Sequence, residues 1–292
     1  MKKILFVGLG LIGGSMAYAL EGYPAKRYGI TRNPATRAEA LRTGAVEAAW
    51  PTPEDAPLEE QDLVVLCLPP EACVEFVDRH ASRLRPGALL TDVCGVKKPL
   101  NDAVSRLPDR QFHYLGGHPM AGLERGGFDN ASRDLFKGAH YILTPDERVP
   151  EACVREMTRI ALHMGCSDVI LSDPISHDER IAYTSQLMHV LALALTDQRL
   201  LYESYGFEGG SFRGATRVAA LDPALWCELF WANRETLAQT TDELIEKLAE
   251  YRDLLRGGDR EALLARLTDS SERKKRFNAL RGLSQSRAPL FL

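Results

Sequence analysis

Apolar runs and amphipathic stretches alternate through the first half of the chain. Runs at residues 3–8 (KILFVG), 27–31 (RYGIT), 62–70 (DLVVLCLPP), 88–95 (ALLTDVCG), 112–117 (FHYLGG) and 139–145 (AHYILTP) read as strands. The 62–70 run is the clearest: β-branched residues and leucines follow one another without a polar break and stop at two prolines, as in a strand buried on both faces. Between these runs lie helix-like segments at 13–22, 33–44, 71–84 and from 96 onward, the second opened by Asn33 as N-cap with Pro34 in the first helical position. Strand and helix in this alternation predict a doubly wound parallel sheet.

The period changes after the charged, proline-bracketed link at 145–150 (PDERVP). One more helix (150–165, closed by Gly165) and a short strand (167–172) follow, and the remainder is helical. Residues 177–205 read as a single helix of 29 residues, against a mean globular helix of about 11–12. Such length suits an all-α domain or a subunit interface. Asp178, Ala182, Ser185, His189 and Ala192 recur along it at i, i+4, i+7, i+11 and i+14, a small and polar stripe through an apolar helix that reads as close packing or as a ligand trough. The glycine-rich 206–217 interrupts, and a second long helix opens at Asp222 and Pro223 and closes at Gly257 and Gly258, with Leu244, Leu248, Tyr251 and Leu255 on one face.

The first strand ends in VGLGLIGGS. Gly8, Gly10 and Gly13 form G-x-G-x-x-G around Leu11 and Ile12, between a strand and a helix start. Gly8 permits a tight turn, Gly10 lets backbone approach a pyrophosphate, and Gly13 permits close helix-to-strand packing, while the helix N-terminus supplies N–H groups. The N-terminal domain is therefore expected to be a Rossmann-type dinucleotide-binding domain (1–148), followed by an all-α domain (149–292) whose long helices suit dimerisation. An acidic residue about 20 positions on would hydrogen-bond the ribose 2′-OH of NAD. Thr31 and Arg32 stand there instead, a hydroxyl and a guanidinium suited to a 2′-phosphate, so NADP is the preferred expectation, with NAD the alternative if Arg32 only stacks on adenine.

The remaining composition narrows the function. A net charge of −4 and a pI near 6.0 give no global reason to expect nucleic acid or an anionic membrane. The six cysteines form no CxxC pair, which suggests no structural metal and a reducing, cytoplasmic setting. The N-terminus imitates a signal peptide, but its glycines follow the dinucleotide spacing, and no uninterrupted apolar stretch of about 20 residues points to a membrane span.

LGGHPMAG, residues 115–122, places His118 just past a strand's carboxyl end, where doubly wound sheets gather ligands. Flanking glycines allow a ligand close, and the position suits a general base. Taken alone, a histidine there is as readily structural.

Together, GLGLIGGS, DVCGVKK, GGHPMAGLERGGFDNASRDLFKGAHYILTP, SHDERIAYTSQLMH and GGSFRGATRVAALDPALW resemble the prephenate/arogenate dehydrogenase family of tyrosine biosynthesis, from the first residues to about Trp231. The resemblance implies oxidative decarboxylation of prephenate, or of its amino counterpart arogenate, by a cytoplasmic homodimer using a nicotinamide cofactor. It makes His118 the catalytic histidine. It also makes Arg217 the carboxylate-binding arginine, Arg213 a second cation or part of a neighbouring subunit's site, and His189 with Ser185 part of the substrate trough. Three departures stand out. Gly95 replaces a serine that assists the histidine in many members, Gln186 and Met188 replace His and Pro, and no regulatory domain is expected after the last helix. Lys97 and Lys98 read as a helix-start basic pair, and Glu124 as a substrate contact or loop cap. The competing readings are another two-domain hydroxy-acid dehydrogenase, which would rely on a catalytic lysine in the helical domain, and a non-catalytic NADP-binding sensor.

Overall fold

The structure is a computed structural model describing residues 1–123 and 125–285. Glu124 lies outside the described residues.

Eight strands form one sheet: β1 (Lys3–Val7), β2 (Lys26–Ile30), β3 (Ala48–Trp50), β4 (Leu63–Leu66), β5 (Leu89–Asp92), β6 (His113–Pro119), β7 (His140–Thr144) and β8 (Asp168–Leu171), in the order β3-β2-β1-β4-β5-β6-β7-β8. Five helices serve it: α1 (Leu11–Ala19), α2 (Pro34–Arg42), α3 (Pro70–His80), α4 (Lys98–Ser105) and α5 (Glu151–His163). The period-2 pleat splits the apolar runs between two cores. Ile4 and Phe6 of β1 point into a cluster with Met16, Ala17 and Ile160, on the face carrying α1 and α5. Leu5 and Val7 point into the opposite cluster with Phe76, Val77, Leu100 and Val104 from α3 and α4. Burial on both faces is why the strands carry no polar alternation, and each such side chain contributes about 1.5–3 kcal/mol.

The expected alternation holds, with one difference in direction. All pairings are parallel except β6 with β7, which runs antiparallel with Gly116 opposite Thr144 and His118 opposite Ile142. Among the described residues of the connection between them (120–139), the helical structure is a short 3-10 turn at Phe128–Asn130, with no crossover helix to carry the chain back to the far edge. Asn33 caps α2 as predicted, its side chain accepting from the N–H groups of Ala35 and Thr36.

The C-terminal helices differ from expectation in three places. The single long helix is α6 (Pro174–Ile181), a π-helical turn (Ala182–Gln186) and α7 (Leu187–Thr196), so it ends nine residues before Tyr205. Beyond Thr196 the side chains of Leu200, Tyr202 and Tyr205 are exposed, and without a packed face helix propensity alone does not extend a helix. The glycine-rich segment is itself helical, forming α8 (Gly210–Thr216) and a 3-10 turn (Arg217–Ala219) packed against α7. The helix opened by Asp222 and Pro223 is α9 (Pro223–Ala232) only; it closes at Asn233, whose side chain is drawn inward, and α10 (Arg234–Gly257) then begins.

Two compact units result, Met1–Leu237 and Ala238–Leu292. In the second, α11 (Arg260–Gln285) meets α10 through a hydrogen bond between Tyr251 and Ser270 (2.8 Å) and an ion pair of Arg266 with Glu250 (2.8 Å). Among the described residues, no helix is long and apolar enough to cross a membrane.

Candidate active site

The first strand delivers the chain into the glycine turn at the carboxyl edge of the sheet, beside the point between β1 and β4 where the winding reverses. Gly8 has φ +102°, and a Cβ there would meet the carbonyl oxygen of Cys67 at 2.6 Å. At Gly13 a Cβ would lie 2.0 Å from the Gly8 oxygen, which is the close helix-to-strand packing predicted for it. Gly10 is the N-cap of α1 and a Cβ there would meet nothing within 4 Å. No side chain caps the α1 N-terminus, whose first turn begins with Leu11 and Ile12. This open, uncapped cradle fits a dinucleotide pyrophosphate. Thr31 and Arg32 follow directly on β2, and the guanidinium of Arg37 donates to both of their carbonyls (2.7 and 2.9 Å), a second cation at this end that sequence reading passed over.

His118 lies near the same edge, on the last turn of β6. Its Nδ1 is 3.0 Å from Nε2 of His177, the rings meeting edge-on at 63°. Nδ1 of His177 is in turn 2.7 Å from Oδ1 of Asp178. Both oxygens of that carboxylate are anchored at the start of α4: Oδ1 accepts from the Lys97 N–H (2.8 Å) and Oδ2 from the Lys98 N–H (2.9 Å). The other end of the His118 ring faces Gly95, where a Cβ would sit 3.9 Å from Nε2 and 3.5 Å from a methyl of Leu229. The residue missing its expected hydroxyl therefore stands beside the histidine, and Nε2 is uncovered there.

Beneath β6 lies a buried ion pair. The ammonium of Lys97, fully enclosed, pairs with Asp92 and donates to the Gly117 carbonyl (2.6 Å). Asp92 also accepts from the Tyr114 hydroxyl (2.9 Å) and the N–H of Cys94 (2.9 Å). The helix-start basic pair read from sequence is thus divided: Lys97 is buried against Asp92, and Lys98 is exposed and paired with Asp102. Loss of water, then the Lys97 ammonium and the His177 ring, push the imidazole of His118 well below its ordinary value.

On α7, His189 donates through Nδ1–H to the carbonyl of Ser185 (3.0 Å) and stacks on Trp226 of α9 at 3.5 Å; burial lowers its pKa. The turn bearing Arg217 packs on the same helix, and Arg213 and Arg217 are both exposed. Gln186 joins no trough. Its amide donates to the Leu229 carbonyl (2.9 Å), and its oxygen accepts from Asn233 (2.8 Å), whose amide also holds the Asp178 carbonyl (2.9 Å). Gln186 and Asn233 fix α9 over the site. His177 and Asn233 were not singled out by sequence, and Lys97 was read only as half of a basic pair; the adjacent His-Asp pair in SHDER was the one visible trace of His177.

The fold and the glycine cradle define a dinucleotide-dependent oxidoreductase. Residues 17–170 match the family model described as "Prephenate dehydrogenase, nucleotide-binding domain", and residues 173–269 match "Prephenate dehydrogenase, dimerization domain". The chain is 30% identical over 268 residues to a prephenate dehydrogenase of Bacillus subtilis, covering 89% of this chain and 72% of that one. It is 32% identical to a cyclohexadienyl dehydrogenase of Zymomonas mobilis, covering 93% and 94%. Among solved structures, prephenate dehydrogenase from A. aeolicus, in complex with hydroxyphenyl propionate and NAD+, superposes with a TM-score of 0.85 at 28% identity, covering 95% and 98%. The chain belongs to the prephenate dehydrogenase family and is an NAD(P)-dependent oxidoreductase.

Proposed function

We propose that this protein converts prephenate to 4-hydroxyphenylpyruvate and CO2, with His118 as general base and NADP as the preferred cofactor. The observation that carries the reading is the His118 imidazole at the sheet's carboxyl edge, its pKa depressed, Nδ1 engaged and Nε2 facing the side-chain-free Gly95. Gly8, Gly10, Leu11, Ile12 and Gly13 would hold the dinucleotide's pyrophosphate, and Thr31 and Arg32, with Arg37 bracing them, its adenosine end. When bound, the nicotinamide supplies a hydride acceptor.

The residues do the rest. His118 would take the proton of the ring hydroxyl on Nε2 as the C–H bond of that carbon breaks and its hydride leaves to the acceptor, the O–H electron pair forming the new C=O bond. The C–CO2 bond then breaks into the ring, aromatising it, and His118 returns the proton to the phenolate oxygen, so no net proton is released by the base. Arg217, assisted by Arg213, binds substrate carboxylate through a planar fork, while His189 and Ser185 line the substrate's position on α7. Exposed apolar side chains on the helical segments, Tyr202, Tyr205 and Phe207 among them, support a homodimer, and the unpaired cysteines support a cytoplasmic setting.

The test is a matrix crossing prephenate and arogenate with NAD and NADP, read by reduced-nicotinamide absorbance. Fastest turnover with prephenate and NADP is expected. A faster arogenate reaction would reassign the substrate, and silence in all four combinations with dinucleotide still bound would overturn the dehydrogenase reading.

A further inference from the structure

The hydrogen bond at Nδ1 of His118 opens a chain of atoms that leads away from substrate. It runs from Nδ1 of His118 to Nε2 of His177 (3.0 Å), from Nδ1 of His177 to Oδ1 of Asp178 (2.7 Å), and from that carboxylate to the first two N–H groups of α4. We propose that Asp178 and His177 are positioning residues that set the tautomer of His118, holding its proton on Nδ1 and leaving the Nε2 lone pair for substrate. The proposal rests on the reading of His118 as the base.

The proton count follows from donor and acceptor chemistry. A carboxylate only accepts, and both oxygens of Asp178 already take backbone N–H groups, so the group facing it from His177 is an Nδ1–H. With one proton on each ring, Nε2 of His177 is a lone pair, and the His118 atom 3.0 Å away is then the donor. The His118 proton therefore sits on Nδ1. Nε2 is left as an acceptor on the side facing Gly95, where nothing in the glycine covers it.

The anchors make this arrangement rigid. His177 and Asp178 are buried, and the Asp178 peptide carbonyl is held by Asn233, which Gln186 holds in turn. Asp178 cannot turn away without releasing the α4 N-terminus. When His118 takes up the substrate proton, its ring becomes a cation with the Nδ1–H still directed at His177. The positive charge is then stabilised along the chain toward a fixed carboxylate.

Two measurements test the proposal. Long-range 1H–15N correlation of imidazole-labelled protein should show His118 in the Nδ1–H form in the wild type and shifted toward Nε2–H in Asp178→Asn. In the same variant an amide NH2 replaces one acceptor, which should lower kcat by about a hundredfold or more with substrate KM and cofactor affinity changed by less than about threefold. His177→Gln, whose side-chain oxygen can still accept from Nδ1–H, should retain kcat within about tenfold, whereas His177→Leu should lose as much as Asp178→Asn. An Nε2–H tautomer in the wild type overturns the relay, as does an unimpaired kcat in His177→Leu. A wild type with the Nδ1–H form that is silent on prephenate and arogenate overturns the functional reading and leaves the tautomer relay standing.

Discussion

At the scale of single residues, the depressed His118 pKa decides how the reaction responds to acid. The base is the neutral ring, and the charged and titratable groups bearing on it are the Lys97 ammonium and His177, with Asp178 behind His177. An ordinary imidazole titrates near about 6.5. Because the folded value lies below this, kcat/KM should stay level as pH falls through that region and decline only at lower pH, when the folded ring protonates. The unfolded chain binds this proton at about 6.5 and the folded chain does not, so stability should fall as pH drops below about 6.5. A pH profile with its acid limb at the ordinary histidine value would contradict the burial argument. His118→Asn should lower turnover by about 10²–10⁴-fold while dinucleotide affinity, read by fluorescence titration, stays near wild type. Arg32→Ala removes a charged hydrogen-bond donor worth about 1.5–3 kcal/mol, so KM for NADP should rise about tenfold or more and KM for NAD little. Equal effects on both cofactors would mean that Arg32 stacks on adenine rather than pairing with phosphate. The places of His118 and Arg32 near the sheet's carboxyl edge were readable from their offsets along the strands, although β6 runs on past His118 to Pro119. His177 was not, since its partner lies 59 positions away and no local pattern marks that distance.

At the scale of elements, β6 is built around what its two glycines leave out. A Cβ at Gly117 would meet the Asp92 carbonyl oxygen at 2.7 Å and the Tyr141 hydroxyl at 2.9 Å; at Gly116 it would meet the Thr144 hydroxyl at 2.3 Å. The sequence suggested that these glycines admit a ligand, but both press instead on neighbouring strands and on the Asp92–Lys97 pair. Gly117→Ala should therefore cost about 1–3 kcal/mol through overpacking against backbone that cannot withdraw, read as a lower denaturant midpoint at constant m. Lys97→Met leaves Asp92 buried without its cation and should cost about 3–5 kcal/mol. An unchanged midpoint in either variant would show that the neighbouring strands yield more easily than their contacts imply. The strands themselves were legible from their continuous apolar runs. The antiparallel turn of β7 was not, because an apolar run records burial and carries no direction. The π-turn at Ala182–Gln186 escaped notice for a related reason: the residues keep a helical spacing in sequence while the turn shifts their register.

At the scale of the whole molecule, the helical segments expose more apolar surface than their own packing uses. In the first unit Tyr202, Tyr205 and Phe207 are each nearly 90% exposed and Trp231 67%. In the second, Leu248, Leu255, Leu264 and Phe277 stand out from α10 and α11. Scattered apolar residues are normal on a monomer, but large aromatics crowded into one short segment are a mark of association. Residues 173–269 match a family model described as a dimerisation domain, which makes a second copy of the chain the partner to test. If burial of these side chains helps hold the native state, folding and assembly are linked, and the melting temperature must rise with protein concentration. Sedimentation at micromolar concentration should give twice the 32.4 kDa chain mass, and Tm should climb across a hundredfold dilution series. A monomer with a concentration-independent Tm would mean that these aromatics meet some other surface. The length read for residues 177–205 suited an all-α domain or a subunit interface, but the helix is shorter than that reading. Its end at Thr196 moves the exposed aromatics off the helix and into the turns that follow it, where the helix itself does not cover them.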